Sequence, residues 1–227
     1  MQGHSRVLLL TTMNEVTGLR SIWNNIPFHL FKRTVVVDAH STDGTLDFLK
    51  DKQCEVIFQH SPGRGDAIRE AMGQITENVV LLMASDGNDD PKYIPAFLAK
   101  IEEGYDIVSG SRFAPGGLTD DSDDPYRIRV FGNRLFTLLV NVLWNAQYSD
   151  AAYSLRAFRT DAWNKMNMNS KWNETEFLMS IRSAKLGLRV IQIPVIEGRR
   201  AGGEVKAKTF STGWSLLKVL MRESIKS

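Results

Sequence analysis

The sequence predicts an α/β fold, a single domain built on a mostly parallel central sheet flanked by helices. Three observations carry this expectation. Short, unbroken apolar runs of strand length recur between residues 6 and 112, and amphipathic stretches separate them. The residues that follow each run are nearly all polar or charged, as they are at the carboxyl ends of strands in open α/β sheets, where ligands bind.

The elements follow in order. "RVLLLTT" reads as a first strand that delivers Thr11 and then Asn14 and Glu15 to its end, before a helix in "EVTGLRSIWNNI". "TVVVDA" ends in Asp38, and Asp43-Gly44-Thr45 opens the helix "GTLDFLKDK", with Asp43 expected to cap backbone donors. "CEVIFQ" leads into "SPGRGD", where two glycines, a helix start and Arg64 suit an anionic or nucleotide ligand. As a dinucleotide fingerprint that loop fails, because Ile68 stands at the third glycine and the loop follows the third strand instead of the first. "VVLLMAS" runs into Asp86, Asn88, Asp89 and Asp90, then Pro91 opens the helix "PKYIPAFLAKIEEG". "DIVSGSR" ends in Ser111 and Arg112.

The second half changes character. "APGGLTDDSDDPYRIR" is glycine-rich and acidic, and is expected to act as a mobile cover over a site. Helical patterns follow at 129–145 and 174–186, then a strand "RVIQIPV" and the basic segment "EGRRAGGEVKAK". The last helix, "FSTGWSLLKVLMRESIKS", places Trp214, Leu217, Leu220, Met221 and Ser224 near one face, expected to pack on the core; a helix lying on a membrane surface is the alternative.

Composition bounds the function. The chain has 227 residues, 43% hydrophobic and 24% charged, enough for one domain with a sizeable core. A net charge of +2 gives no support to bulk nucleic-acid binding, so no nucleic-acid partner is expected. The single Cys54 cannot form an internal disulfide, and the first apolar run meets Asn14 and Glu15 too soon for a secretory signal. No window reaches the roughly 20 apolar residues of a membrane span. The expected localisation is therefore cytoplasmic.

Two constellations point to chemistry. Asp86 and Asn88, two apart on extended backbone, share a face and offer hard oxygens to Mg²⁺ or Mn²⁺, whose shell substrate phosphates and water complete. The same residues, with Asp89, are equally read as a turn that caps the helix at Pro91. Basic residues cluster on loops: Arg112, Arg127, Arg129, Arg156, Arg199, Arg200 and Lys206. Together they suit an anion pocket in which guanidinium forks hold phosphate oxygens. The four histidines show no metal-ligand spacing, and no nucleophile-elbow, zincin or P-loop pattern occurs.

The ordered set of motifs resembles a known family. Asn14-Glu15, "VVVDAHSTDGT", "GRGDAIREAM", "MASDGNDDPKYIP", "DIVSGSRF", "SDAAYSLRAFR" and "RRAGGEVK" are similar, in that order, to the elements of family 2 inverting glycosyltransferases with the GT-A fold, in the dolichyl-phosphate mannose synthase branch. The likeness runs from about residue 6 to the C-terminal helix. It implies metal-dependent transfer of a hexose from a nucleotide sugar, GDP- or UDP-linked, to a polyprenyl phosphate such as dolichyl or undecaprenyl phosphate. The alternative acceptor is a hydroxyl of a cell-surface glycan or other soluble molecule. Residues 5–112 would form the nucleotide-sugar half, and residues 113–227 the lid, acceptor half and C-terminal helix.

Carried over residue by residue, the resemblance puts Thr11, Asn14, Glu15, Asp38, Arg64 and Asp86 on the nucleotide sugar and Asp86 with Asn88 on the metal, Mg²⁺ or Mn²⁺. Arg112, Arg200 and either Arg127 or Arg129 would grip the acceptor phosphate, and Lys206 would reach the phosphates from the late loop. Asp86, Arg112 and Arg200 form the implied catalytic set. An ionised phosphate acceptor needs no base, whereas a hydroxyl acceptor needs one, for which Asp150, Glu174 and Glu176 are the candidates. A lipid acceptor also requires contact with a membrane surface or a membrane-protein partner, so the enzyme would sit peripherally at the cytoplasmic face. The chain departs from the pattern at Ala84, where the first acid of Asp-x-Asp would stand, at Ala39 and at Val205. Two other classes fit parts of this picture: a nucleotide-binding module without turnover, which accounts for Ala84, and an NAD-dependent oxidoreductase, which accounts for the α/β pattern.

Overall fold

A computed structural model of the chain describes residues 4–119, 128–202 and 209–225. Strands β1 (Arg6–Thr12), β2 (Arg33–Asp38), β3 (Glu55–Phe58), β4 (Val79–Ala84), β5 (Ile107–Ser111), β6 (Arg156–Arg159) and β7 (Val190–Pro194) form one sheet in the order β3-β2-β1-β4-β6-β5-β7. All neighbours pair in parallel except β6, which runs antiparallel between β4 and β5.

The central strands are apolar on both faces because helices cover both. Alternation divides their side chains: Val7, Leu9, Val35, Val37, Val80 and Leu82 join one core, and Leu8, Leu10, Val36, Leu81 and Met83 the other. The second core is closed by α1 (Val16–Ile22), α2 (Thr45–Lys50) and α4 (Ile94–Glu102), through Leu19, Leu49 and Phe97. The first is closed by α3 (Arg64–Met72), α5 (Ile128–Trp144), α6 (Thr160–Met166), α7 (Thr175–Lys185) and α8 (Thr209–Ile225), through Ile68, Val140, Trp163, Phe177 and Leu216.

Strand β6 and the short helix α6 were not foreseen as elements. "RAFR" is no apolar run, since it begins and ends in arginine. Arg156 is nonetheless fully buried, donating to the carbonyls of Tyr153 at 3.1 Å and Ala151 at 2.9 Å and to Ser180 Oγ at 3.0 Å. It ties the strand to the loop before it and to α7, and is no part of an anion pocket.

Helix α8 is rotated from the expected face. It buries Leu216, Val219, Leu220 and Glu223, whereas Trp214 is 58% and Met221 54% exposed. The packed face is its own apolar stripe, Leu216, Val219 and Leu220, and Glu223 on the same side accepts from Arg182 Nη2 at 2.8 Å and pairs with Lys185 and Arg222, so the ion pairs to α7 and the apolar contacts fix the same rotation. Helix α5 is likewise half-embedded: Thr137 and Val140 are buried, while Phe131 and Val142 are 69% and 71% exposed.

Candidate active site

The carboxyl ends of β1, β2 and β4 open into a cleft of about 1310 Å³. At its centre is the turn after β4, and the structure divides the acids there between the two readings of the sequence. Asp90 accepts the Lys92 N–H at 3.0 Å and caps the turn at Pro91. Asp89 is buried and accepts Tyr153 O–H at 2.6 Å and Ser154 O–H at 3.1 Å, and its burial pushes the carboxyl pKa up to about 7. These two are structural. Asp86 and Asn88 instead line the cleft. The reversal between them uses Gly87 at φ +87°, where a Cβ would stand 2.7 Å from Ser21 Oγ and 2.8 Å from Ala201 Cβ.

The oxygens at this turn fit a hard divalent cation. Asn88 Oδ1 is buried and has no hydrogen-bond partner, while Asn88 Nδ2 faces Glu197 Oε1 at 3.5 Å. An orphaned amide oxygen beside an acid suits Mg²⁺ or Mn²⁺, which takes one or two protein carboxylates and fills its shell from phosphates and water. No cluster of three or more His, Cys, Asp or Glu that could hold a metal occurs among the described residues, so substrate oxygens would have to complete such a shell.

The basic loop is stitched to the same turn, with Gly198 N–H donating to Asn88 O at 2.9 Å and Ala201 N–H to Asp86 O at 3.1 Å. This brings Arg200 Nη1 to 2.9 Å from Asp86 Oδ2, and its Nη2 onto Glu15. Arg112, at the end of β5, holds both oxygens of Asp150, Nε to Oδ2 at 2.7 Å and Nη2 to Oδ1 at 3.2 Å, and reaches Glu197 at 3.5 Å. Burial works against its charge, but Asp150 and Glu197 overcome that and hold the guanidinium protonated more firmly than a free arginine. Arg64 donates to Thr11 Oγ1 at 3.3 Å and to Glu176. Four carboxylates line the cleft among the described residues, Glu15, Asp86, Glu176 and Glu197, and each is paired with a cleft-lining arginine.

Glu197 was absent from the expected set. It stands three residues past the last strand, so the strand-end rule that marked Asn14, Asp86 and Arg112 also reaches it. Its Oε2 accepts Thr119 O–H at 2.8 Å, which ties the segment after β5 to the basic loop.

Several expected donor-side residues build the wall without facing the cleft. Asp38 is fully buried and accepts both the N–H and O–H of Ser41, at 2.8 Å and 2.6 Å. Asn14, at φ +53°, accepts the Thr42 N–H at 2.7 Å. Asp43 caps as expected, accepting the N–H groups of Thr45 at 3.0 Å and Val16 at 3.1 Å. What lines the cleft at this end is Thr11, Val37, Ala39, His40 and Gln59. The loop "SPGRGD" lines the cleft with Ser61, Pro62, Gly63 and Arg64, and its glycines also make close protein contacts. A Cβ on Gly63 would lie 2.2 Å from Lys171 O, the atom that accepts Gly65 N–H at 2.9 Å and Asp66 N–H at 3.3 Å. The first donors of α3 are thus already used.

Of the residues expected on the acceptor phosphate, Arg129 lines the cleft from α5, while Arg127 and Lys206 lie outside the described residues, as does part of the expected lid. Of the three candidate bases, Asp150 is fully buried under Arg112, Glu174 accepts the N–H groups of Lys171 and Trp172, and Glu176 alone reaches the cleft. Beyond Arg129 the cleft continues as an apolar slot between α5 and α8, walled by Phe136, Phe210, Trp214 and Leu217.

The family model for "Glycosyl transferase family 2" matches residues 10–166, a stretch that runs from the end of β1 through β6 and includes the turn at Asp86 and Asn88. The chain belongs to glycosyl transferase family 2. The transferase is 29% identical over 227 residues to a dolichyl-phosphate hexose transferase of Haloferax volcanii, covering 96% of this chain and 95% of that protein. It is 28% identical over 200 residues to the glycosyltransferase AglJ of the same organism, covering 86% of this chain but only 64% of AglJ, just under two thirds of its length. Among solved structures, the glucosyl-3-phosphoglycerate synthase of Mycobacterium tuberculosis in complex with Mn²⁺, UDP and glucosyl-3-phosphoglycerate superposes with a TM-score of 0.74 at 18% identity, over 98% of this chain and 80% of that one. At that identity the superposition establishes the GT-A fold. The sequence expectation of a family 2, GT-A transferase, of the type whose chemistry inverts the anomeric centre, is borne out.

Proposed function

We propose that the transferase moves a hexose from a UDP- or GDP-sugar to a polyprenyl phosphate at a membrane surface. The observation that carries this reading is the continuity of the cleft, which passes from Asp86 and Arg200 past Arg129 into the apolar slot between α5 and α8. A ligand with a charged head and a hydrocarbon tail matches that succession. The outward faces of the same helices present Phe131, Leu138, Val142 and Ile225, all more than half exposed and none of them lining the cleft, as an apolar surface suited to a bilayer. No helix among the described residues is long and apolar enough to cross a membrane, so contact would be with the surface.

In this reading an oxygen of the acceptor phosphate attacks the anomeric carbon. The bond from that carbon to the diphosphate breaks, and the nucleoside diphosphate leaves with the electron pair, giving one inversion. Arg112 and Arg129 orient the acceptor phosphate; Arg200, expected from the sequence on that phosphate, is held on Asp86 and Glu15 and in this reading joins Arg64 on the donor side, where developing charge is stabilised by fixed cations. Asp86 and Asn88 would hold Mg²⁺ or Mn²⁺, which supplies further neutralisation of the leaving diphosphate. The pairing of each cleft carboxylate with an arginine supports an acceptor that needs no general base.

A second reading, a hydroxyl acceptor on a soluble molecule, is favoured by Glu176, the one candidate base that lines the cleft. One assay separates them. The protein is incubated with UDP- or GDP-hexoses, Mn²⁺ and either undecaprenyl phosphate in detergent or 3-phosphoglycerate, and the products are partitioned into butanol. Sugar in the organic phase, lost on chelation, supports the proposal. Transfer confined to the aqueous acceptor refutes it.

A further inference from the structure

Arg200 already holds the carboxylate that a divalent cation would need. Its Nη1 donates to Asp86 Oδ2 at 2.9 Å, its Nη2 to Glu15, and its Nε to Gly202 O at 2.7 Å. One guanidinium thus serves two acids, Asp86 at 17% and Glu15 at 7% side-chain exposure. Its loop cannot drift far, because the backbone bonds from Gly198 and Ala201 fix it to the turn. Ala84 ends β4 where another acid would have shared the load, and the neighbouring Asn88 Oδ1 is buried without a partner.

We propose that Arg200 is a built-in counter-ion that makes binding of the divalent cation and of the nucleoside diphosphate depend on each other. The inference rests on the metal and diphosphate reading given above. A cation approaching Asp86 meets the positive charge of Arg200 a few ångström away in a partly buried site, where such repulsion is strong. A diphosphate changes this in two ways. Its oxygens offer the guanidinium fork an alternative bidentate partner, which frees Asp86, and they complete the cation's shell. Each ligand therefore lowers the obstacle to the other, and linkage requires the effect to be reciprocal.

The test is Mn²⁺ binding, read from the EPR signal of the free ion, to the full chain with and without UDP, with GDP as a parallel series. Wild type is compared with Arg200→Met and Arg200→Lys, and the melting temperature of each is recorded. UDP should tighten Mn²⁺ binding to wild type by about tenfold or more, within the range of coupled sites. Arg200→Met should bind Mn²⁺ alone about tenfold more tightly than wild type, with the UDP effect shrunk accordingly. Arg200→Lys retains the charge and should keep Mn²⁺ weak on its own. Arg200→Gln serves as a second neutral variant if the methionine variant does not fold.

If a folded neutral variant binds Mn²⁺ alone no more tightly than wild type, while UDP still tightens wild type, the counter-ion role is overturned and the metal reading stands. If wild type does not bind Mn²⁺ with either UDP or GDP, both fall.

Discussion

Replacing Asp150 by alanine tests whether this acid is a base or an anchor. It is fully buried, and Arg112 holds both of its oxygens, at 2.7 Å and 3.2 Å, while Ala152 N–H adds a third bond at 3.2 Å. Removing one member of a buried pair leaves the other charge uncompensated, at a cost of about 3–5 kcal/mol. Arg112 keeps 13% side-chain exposure and Glu197 at 3.5 Å, so the lower end, about 3 kcal/mol, is expected. In a chain of this size that corresponds to a fall of about 6–12 °C in Tm. Urea unfolding followed by circular dichroism gives the free energy directly. Asp150→Asn, which keeps the shape and removes the charge, should move the same way. Turnover should drop in both variants because Arg112 is released, but the acidic limb of the remaining pH–rate profile should persist, since no proton passes through Asp150. A loss below about 1 kcal/mol, the range of an exposed pair, refutes the anchoring argument.

Gly18→Ala inverts the usual rule for helices. A Cβ there would lie 2.2 Å from Ser85 O and 2.6 Å from the Asp86 carbonyl carbon, so instead of the usual gain the variant should lose about 1–3 kcal/mol and bind Mn²⁺ with UDP more weakly; a raised Tm would contradict this. Glu223 gives a pH signature. Burial opposes its charge, but Arg182, Arg222 and Lys185 outweigh burial and hold its pKa below the usual glutamate value. Its stabilisation is complete above about pH 4.3, the ordinary value, and is lost as pH falls through the lower native one, so Glu223→Gln should melt lower than wild type at pH 7 and converge with it in acid. On α5, Phe131→Asp with Val142→Asp should cut transfer to polyprenyl phosphate in vesicles while UDP binding, measured by calorimetry, stays unchanged.

The sheet and most helices were legible because their signal is local: apolar runs such as 79–84 and amphipathic turns such as 64–72 report their own burial. The place of Asp86, Asn88 and Arg112 on the cleft was legible because each stands just past a strand, and that of Arg200 because it falls in a basic, glycine-containing loop. What was hidden depended on distant partners. The burial of Arg156 needs carbonyls from the preceding loop and Ser180 on α7, and the rotation of α8 is fixed in part by Arg182. The inward turn of Asp38 depends on Ser41, three residues on, which reads equally well as an ordinary loop serine. Asp89 and Asp90, adjacent in sequence, part company because one meets Tyr153 and the other meets Lys92.

The placement of β6 has a consequence for biosynthesis. Strands β1 to β4 find all their parallel neighbours among themselves, but β5 pairs only with β6 and β7, which the ribosome delivers much later. The nascent polypeptide therefore carries a strand that is wholly buried in the finished fold with both edges bare until residue 156 emerges, a state that chaperones recognise and that self-associates readily. Any truncation between β5 and β6 would freeze the chain in that vulnerable form, so residues 5–112 are not separable from the rest of the sheet.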